Sequence, residues 1–278
     1  MKDLTPFGVQ DLLPEEQSAY EQLTAAFQSI FEKNNYKKVK TPTIEYYDTL
    51  EPGLGEHLKE KSIKFFDTTG HCLVLRPDHT TPIARLVATQ MQNEAKPLRL
   101  AYIDPVFSKV DPLHIEQFQA GIELIGEKSA KADAEIITTC IDALLEIGLK
   151  DLMIDIGHTH LVDNHDPEKK EALLKGDYIA YGHIPERGDS QLAKGYPDLE
   201  ALYSELEKQG YAQYIHINKG LVKDIQYYTG MIFECCVPEA KKPIASGGRY
   251  NQLLSRFGYD CPAVGFAANL SEIQKVMP

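Results

Sequence analysis

Four polar side chains in two short stretches have the types needed to hold a small cationic molecule. Asp78 and Thr80 lie in Leu75-Arg76-Pro77-Asp78-His79-Thr80, and Gln119 and Glu123 in Glu116-Gln117-Phe118-Gln119-Ala120-Gly121-Ile122-Glu123. Two carboxylates and an amide can satisfy an ammonium and an imidazole, groups that need charge-assisted or directional partners once water is removed. Gln119 and Glu123 stand four apart in a strand-like run, so both project from the same face. Further on come Lys223, the pair Tyr227-Tyr228 and the segment Gly247-Gly248-Arg249-Tyr250. Taken one at a time, each has a plainer reading as a polar group on a strand or hairpin, or as a tyrosine pair packed in a core. The five cysteines (Cys72, Cys140, Cys235, Cys236, Cys261) form no CxxC pair and no metal-spaced cluster. They read as reduced and mostly buried, and neither a metal nor a cofactor is expected.

The elements that must position these groups follow from periodicity. Pro14-Glu15-Glu16 opens an amphipathic helix with Tyr20, Leu23, Phe27, Ile30 and Phe31 at helical spacing, ending near Asn34-Asn35. Lys64 to Leu75 predicts a hairpin with its turn at Thr69-Gly70, and Thr80-Thr81-Pro82 starts a helix. Leu98–Phe107 and Ile115–Ile125 predict two long strands that favour antiparallel pairing. Ala130 to Ile147 predicts a helix stopped by Gly148, and Asp151 to Ile156 a strand. From 158 to 210 the pattern weakens around two short helical candidates, Glu168–Lys175 and Leu199–Lys208, and is expected to be a small insertion. Strand signals return at Tyr214–Ile217, Gln226–Cys236 and Ala263–Ala267, with short helices at Tyr250–Arg256 and Leu270–Val276. Antiparallel runs flanked by helices indicate an α+β fold occupying residues 1–278 as one domain.

Composition narrows the function classes. A chain of 278 residues, 43% hydrophobic and 25% charged, is ordinary for a soluble globular protein. No apolar run reaches the roughly 18–20 residues that span a bilayer. The start, Met1-Lys2-Asp3-Leu4-Thr5-Pro6, lacks a signal-peptide pattern, so a cytoplasmic protein without membrane contact is expected. The net charge of −12 argues against a nucleic-acid partner, which would need concentrated Lys and Arg.

In order and content, these segments resemble the catalytic core of histidyl-tRNA synthetase, a class II aminoacyl-tRNA synthetase. Gly8-Val9-Gln10-Asp11-Leu12-Leu13-Pro14 is similar to that family's opening. Val39-Lys40-Thr41-Pro42 is similar to motif 1, which lies at the family's dimer interface. The resemblance implies an antiparallel sheet flanked by helices. It places Asp78 and Thr80 at the substrate amino group, and Gln119 and Glu123 at the rest of that ligand. Leu221-Val222-Lys223-Asp224-Ile225-Gln226-Tyr227-Tyr228 resembles the histidine signature R-G-L-D-Y-Y, with Lys223 for its arginine, Asp224 for its glycine and Gln226 for its aspartate. Gly247-Gly248-Arg249-Tyr250 would line the amino-acid side. Asp78 replaces a glutamate and is one methylene shorter.

The departures fall on the ATP side. The motif 2 arginine after Phe107 is Ser108, Val110-Asp111 replaces a polar Glu-Arg pair, and the motif 3 arginine position holds Glu272. Losing one preorganised charge-stabilising donor costs on the order of 10²–10³ in rate. The pattern therefore resembles the regulatory subunit of ATP phosphoribosyltransferase, a non-catalytic relative in histidine biosynthesis, with no anticodon-binding domain. That implies a hetero-oligomer with a short-form catalytic subunit, L-histidine as effector, and a homodimer through motif 1. The alternatives are an amino-acid-activating ligase, an RNA-binding module, and a scaffold-only activator with a relic pocket.

Overall fold

The computed structural model describes residues 5–6, 8–109, 115–161, 166–223, 225 and 227–278. Its helices are α1 (Pro14–Lys33), α2 (Tyr47–Leu50), α3 (Glu56–Lys61), α4 (Thr80–Gln90), α5 (Ala130–Glu146), α6 (Pro167–Lys175), α7 (Tyr178–Tyr181), α8 (Pro197–Lys208) and α9 (Leu270–Ile273). Its strands are β1 (Lys37–Lys38), β2 (Ile44–Tyr46), β3 (Lys64–Phe66), β4 (Cys72–Leu75), β5 (Leu98–Phe107) and β6 (Glu116–Ile125). They continue as β7 (Met153–His158), β8 (Arg187–Gly188), β9 (Ile215–Asn218), β10 (Met231–Cys236), β11 (Ala245–Arg249) and β12 (Ala263–Asn269).

Local chemistry accounts for the two long helices that back the sheet. Pro14 sits in the first turn of α1, where its missing N–H costs nothing, and Glu16 accepts from the Leu13 N–H at 2.9 Å. The 3.6-residue period then puts Leu23, Phe27, Ile30 and Phe31 on one buried stripe. Each is worth roughly 1.5–3 kcal/mol of burial. The Ser129 side chain caps α5 by accepting from the Ala132 N–H, and Gly148 follows the helix at φ +83°.

The main sheet runs β1-β5-β6-β12-β11-β10-β7-β9-β8. Among the described residues, β1 with β5 and β7 with β9 are its parallel pairs, and the other neighbours are antiparallel. One face carries Ile122, Leu124, Ile156, Phe233 and Phe266 into a common core with α1, α5 and α8. The period of two sends Tyr102, Gly121, Glu123, Gly248 and Gly265 to the opposite face. A separate three-stranded sheet, β2-β4-β3, packs beside the start of α4.

Several expected boundaries shift, each for a local reason. The strand expected from Asp151 begins at Met153, because Asp151 takes a left-handed conformation at φ +54°. The strand expected from Gln226 begins at Met231; Tyr227 and Tyr228 occupy a turn in which the Tyr228 N–H bonds the Ile225 carbonyl at 3.3 Å. The helix expected over Tyr250–Arg256 is a short 3₁₀ turn at Leu254–Phe257, and the last helix is regular only over Leu270–Ile273. Within 158–210, Leu199, Leu202 and Leu206 of α8 are buried in the main core against α5, and β8 pairs with β9 at the sheet edge. Helices α6 and α7 close a small cluster of their own around Ala172, Leu173 and Tyr181.

Candidate functional site

Three strands and one helix start converge on the face of the sheet opposite α1 and α5. Strand β6 presents Glu123, 1% exposed, and β4 leads through Pro77 to Asp78 and then Thr80 at the start of α4. The Thr80 hydroxyl donates to Glu123 Oε1 at 2.8 Å, and the Tyr250 hydroxyl donates to Glu123 Oε2. Asp78 Oδ2 accepts from the Thr81 hydroxyl at 2.9 Å, whereas Asp78 Oδ1 is buried without a hydrogen-bond partner among the described residues. One oxygen of Asp78 thus ties down the first turn of α4; the Tyr227 hydroxyl also acts on this carboxyl, and its buried Oδ1 is an atom that a cation would satisfy.

The floor of this site has no side chains. At Gly265 an added Cβ would lie 1.8 Å from Glu123 Oε2, and at Gly121 one would lie 2.4 Å from the Tyr102 hydroxyl. Only glycine leaves the room these two polar groups occupy. Tyrosines close the walls: the Tyr227 ring meets Tyr228 edge-on at 5.2 Å and Tyr250 at 5.7 Å. His79 stacks on Tyr102 with centroids 4.2 Å apart, and its Nε2 lies 3.0 Å from the Asp104 carbonyl. Burial and the nearby Arg76 cation hold His79 down at about 3, so it stays neutral.

Electrostatics give the site its sign. Burial pushes the Asp78 carboxyl up to about 6 against its hydrogen bonds from Thr81. Burial pushes Glu123 up to about 8, with the Asp78 charge adding to the rise. The Tyr228 phenol is raised by burial and then by Glu123, Asp78 and Glu234. The potential here is negative, and it favours an ammonium or a protonated imidazole over any anion.

Asp78, Thr80, Glu123, Tyr227 and Tyr228, which are far apart in the sequence, therefore come together. Two other candidates stand off. Gln119 shares the Glu123 face but lies roughly 13 Å along the strand from it by strand rise, paired in register with Asp104 and Asn269. Lys223 is held in a contact with Glu234 on β10. Asp224, Gln226 and Val110-Asp111 lie outside the described residues. Arg249 points away from the pocket and bonds Asp133 at 2.6 Å, pinning β11 to α5. Sequence reasoning missed Tyr102 and Glu234. Their signals were a tyrosine two residues before Asp104 in a strand paired with Gly121, and a lone carboxylate inside Met231-Ile232-Phe233-Glu234-Cys235.

The histidyl-tRNA synthetase family profile matches residues 8–170 and 185–273. The chain belongs to the histidyl-tRNA synthetase family. A relative from Desulfitobacterium hafniense, named ATP phosphoribosyltransferase regulatory subunit, is 35% identical over 98% of this chain and 81% of its own length. A solved structure described as an ATP phosphoribosyltransferase regulatory subunit/histidyl-tRNA synthetase from Bacillus halodurans C superposes with a TM-score of 0.91 at 30% identity, covering 100% of this chain and 84% of that one. Apo histidyl-tRNA synthetase from S. aureus, 24% identical, shares the fold with a TM-score of 0.73 over 97% of this chain and 68% of its own.

Within this synthetase-like frame, the expected α+β architecture stands: a large, mostly antiparallel sheet backed by helices. Ser108 continues the end of β5 through its N–H bond to the Ile115 carbonyl at 2.9 Å. Glu272, in the first turn of α9, pairs with Lys275 at 2.7 Å. Among the described residues, no helix is long and apolar enough to cross a membrane. His158, His160 and Asp198 bring one ligand atom each within 4.8 Å of one another. The His160 N–H, however, donates to Nδ1 of His158 at 3.1 Å. In the neutral ring this leaves the proton on Nε2, 3.6 Å from Asp198. A protonated ring nitrogen is no metal ligand, so the trio fits a histidine–carboxylate contact better than a metal centre.

Proposed function

We propose that this chain is the regulatory subunit of ATP phosphoribosyltransferase, acting in histidine biosynthesis without catalysing a reaction itself. It joins a short-form catalytic subunit, raises that subunit's activity, and makes it sensitive to L-histidine. The observation that carries the reading is the side-chain cluster itself, two carboxyls among three tyrosines. Glu123 sits buried and Asp78 half-buried beside Tyr227, Tyr228 and Tyr250, with Asp78 Oδ1 buried and unbonded, in a chain whose relatives are named regulatory subunits. Such a site has a use for an amino acid with an ammonium and an imidazole.

Two features weigh against adenylate chemistry at the same site. Serine stands at 108 and a glutamate at 272, where the synthetase resemblance implies arginines for a triphosphate, and Glu272 is an anion already paired to Lys275. A ligase would exchange pyrophosphate into ATP in the presence of an amino acid, and none is expected. For histidine to regulate, it must bind two states of the assembly unequally.

A homodimer is part of the proposal. The strand β2 that follows Val39-Lys40-Thr41-Pro42 leaves Ile44 49% and Tyr46 53% exposed, with Phe65 36% exposed on the same face of the small sheet. An apolar patch of this kind suits a second copy of the chain.

The deciding experiment is phosphoribosyl-ATP formation by a short-form catalytic subunit, with and without this chain, across a histidine titration. Activation that histidine reverses is expected. Activation that ignores histidine would reduce the chain to a scaffold, and an absence of both activation and complex would overturn the reading.

A further inference from the structure

Lys223 and Glu234 are 18% and 21% exposed in their side chains, and the Lys223 ammonium contacts Glu234 Oε1. Pairs this sheltered are screened little by salt and hold their geometry better than surface pairs. Tyr228 links this pair to the carboxylate cluster. Its ring lies over Gly248, where an added Cβ would come within 2.8 Å, and its hydroxyl feels Glu123, Asp78 and Glu234 together.

The neighbouring charges are also committed. Glu234 is the register partner of Asp155 on β7. Arg187 holds Asp155 at 2.7 Å, and the Asn218 amide donates to it at 2.9 Å. Glu234, Asp155, Arg187 and Lys223 all act on the Cys236 thiol, the next residue on the same face as Glu234. A ligand carboxylate arriving at this end of the pocket meets no unengaged cation in this group. It must draw Lys223 off Glu234 and leave a sheltered carboxylate unpaired, or settle against existing carboxylates; both cost affinity. An ammonium group meets neither penalty.

Building on the reading of this pocket as an amino-acid site, we propose that Glu234 is a specificity-determining residue. By occupying Lys223, it lets the site take an imidazole-bearing amine without a carboxylate about as readily as the imidazole amino acid. Removing the Glu234 charge frees Lys223 for the ligand carboxylate and turns the site toward the amino acid.

The test is calorimetric titration of the full chain with L-histidine and with histamine, in the wild type and in Glu234→Gln, with thermal melting to check folding. The wild type is expected to bind the two ligands within about threefold of each other, and Glu234→Gln to tighten histidine about tenfold with histamine unchanged. Lys223→Met is the second variant and is expected to weaken histidine relative to histamine. Histidine affinity unaltered in Glu234→Gln, or equal changes for both ligands in both variants, would overturn the proposal while leaving the pocket reading intact. Binding of neither ligand by any of the three proteins would overturn the pocket reading and this proposal with it.

Discussion

The Thr80 hydroxyl and the Glu123 carboxylate are joined at 2.8 Å across 43 positions of sequence. This contact fastens the first turn of α4 to the middle of the sheet and fixes the orientation of the buried Glu123 carboxyl. The carboxyl cluster depends on it.

Gly265→Ala should close the pocket floor, because its Cβ would fall 1.8 Å from Glu123 Oε2. The glutamate must leave its bonds to Thr80 and Tyr250 or the strand must shift. A loss of about 1–3 kcal/mol in stability is expected, together with loss of histidine binding. Urea unfolding and calorimetric titration would read the two effects separately; a variant of native affinity would refute the floor assignment.

Stability should fall as pH rises through the range where Glu123 differs between states. Its pKa in the fold, about 8, lies above its ordinary value of 4.5, so the folded chain holds an extra proton between those limits. Wherever the folded state binds more protons, stability declines with rising pH. Glu123→Gln cannot titrate and should flatten that decline between roughly pH 5 and 8. Melting temperature against pH for the two proteins is the check, and parallel curves would count against the assignment.

Histidine should bind more tightly as pH rises from about 6 to 8 and should release protons as it binds. A ligand ammonium favours the ionised forms of Asp78 and Glu123, which burial keeps partly protonated in this range. Titration in buffers of different ionisation heat measures the protons released. Proton uptake instead of release would refute the cation-on-carboxylate reading.

Arg249→Leu should destabilise the fold by about 3–5 kcal/mol, because it strands the buried Asp133 that now bonds Arg249 at 2.6 Å. The double variant Arg249→Leu/Asp133→Leu should recover much of the loss. Chemical denaturation would show whether β11 and α5 are held together by this pair.

Tyr46→Glu should shift the chain toward monomer in sedimentation, since Tyr46 is 53% exposed on the proposed self-association face. Unchanged sedimentation would move the interface elsewhere.

Periodicity alone determined α1, α5, the β5–β6 pair and the α+β class, because a repeat of 3.6 or 2 records which face of an element is buried. The resemblance to the synthetase family, and not periodicity, pointed to Asp78, Thr80 and Glu123 as candidate ligand groups. Tertiary structure decided which groups meet. Tyr250 reaches Glu123 across 127 positions, Lys223 turns to Glu234, and Arg249 leaves the pocket for Asp133. A strand pattern states that a side chain faces up or down. It does not state which strand lies alongside or in what register, and the partner of a buried charge is set by that register.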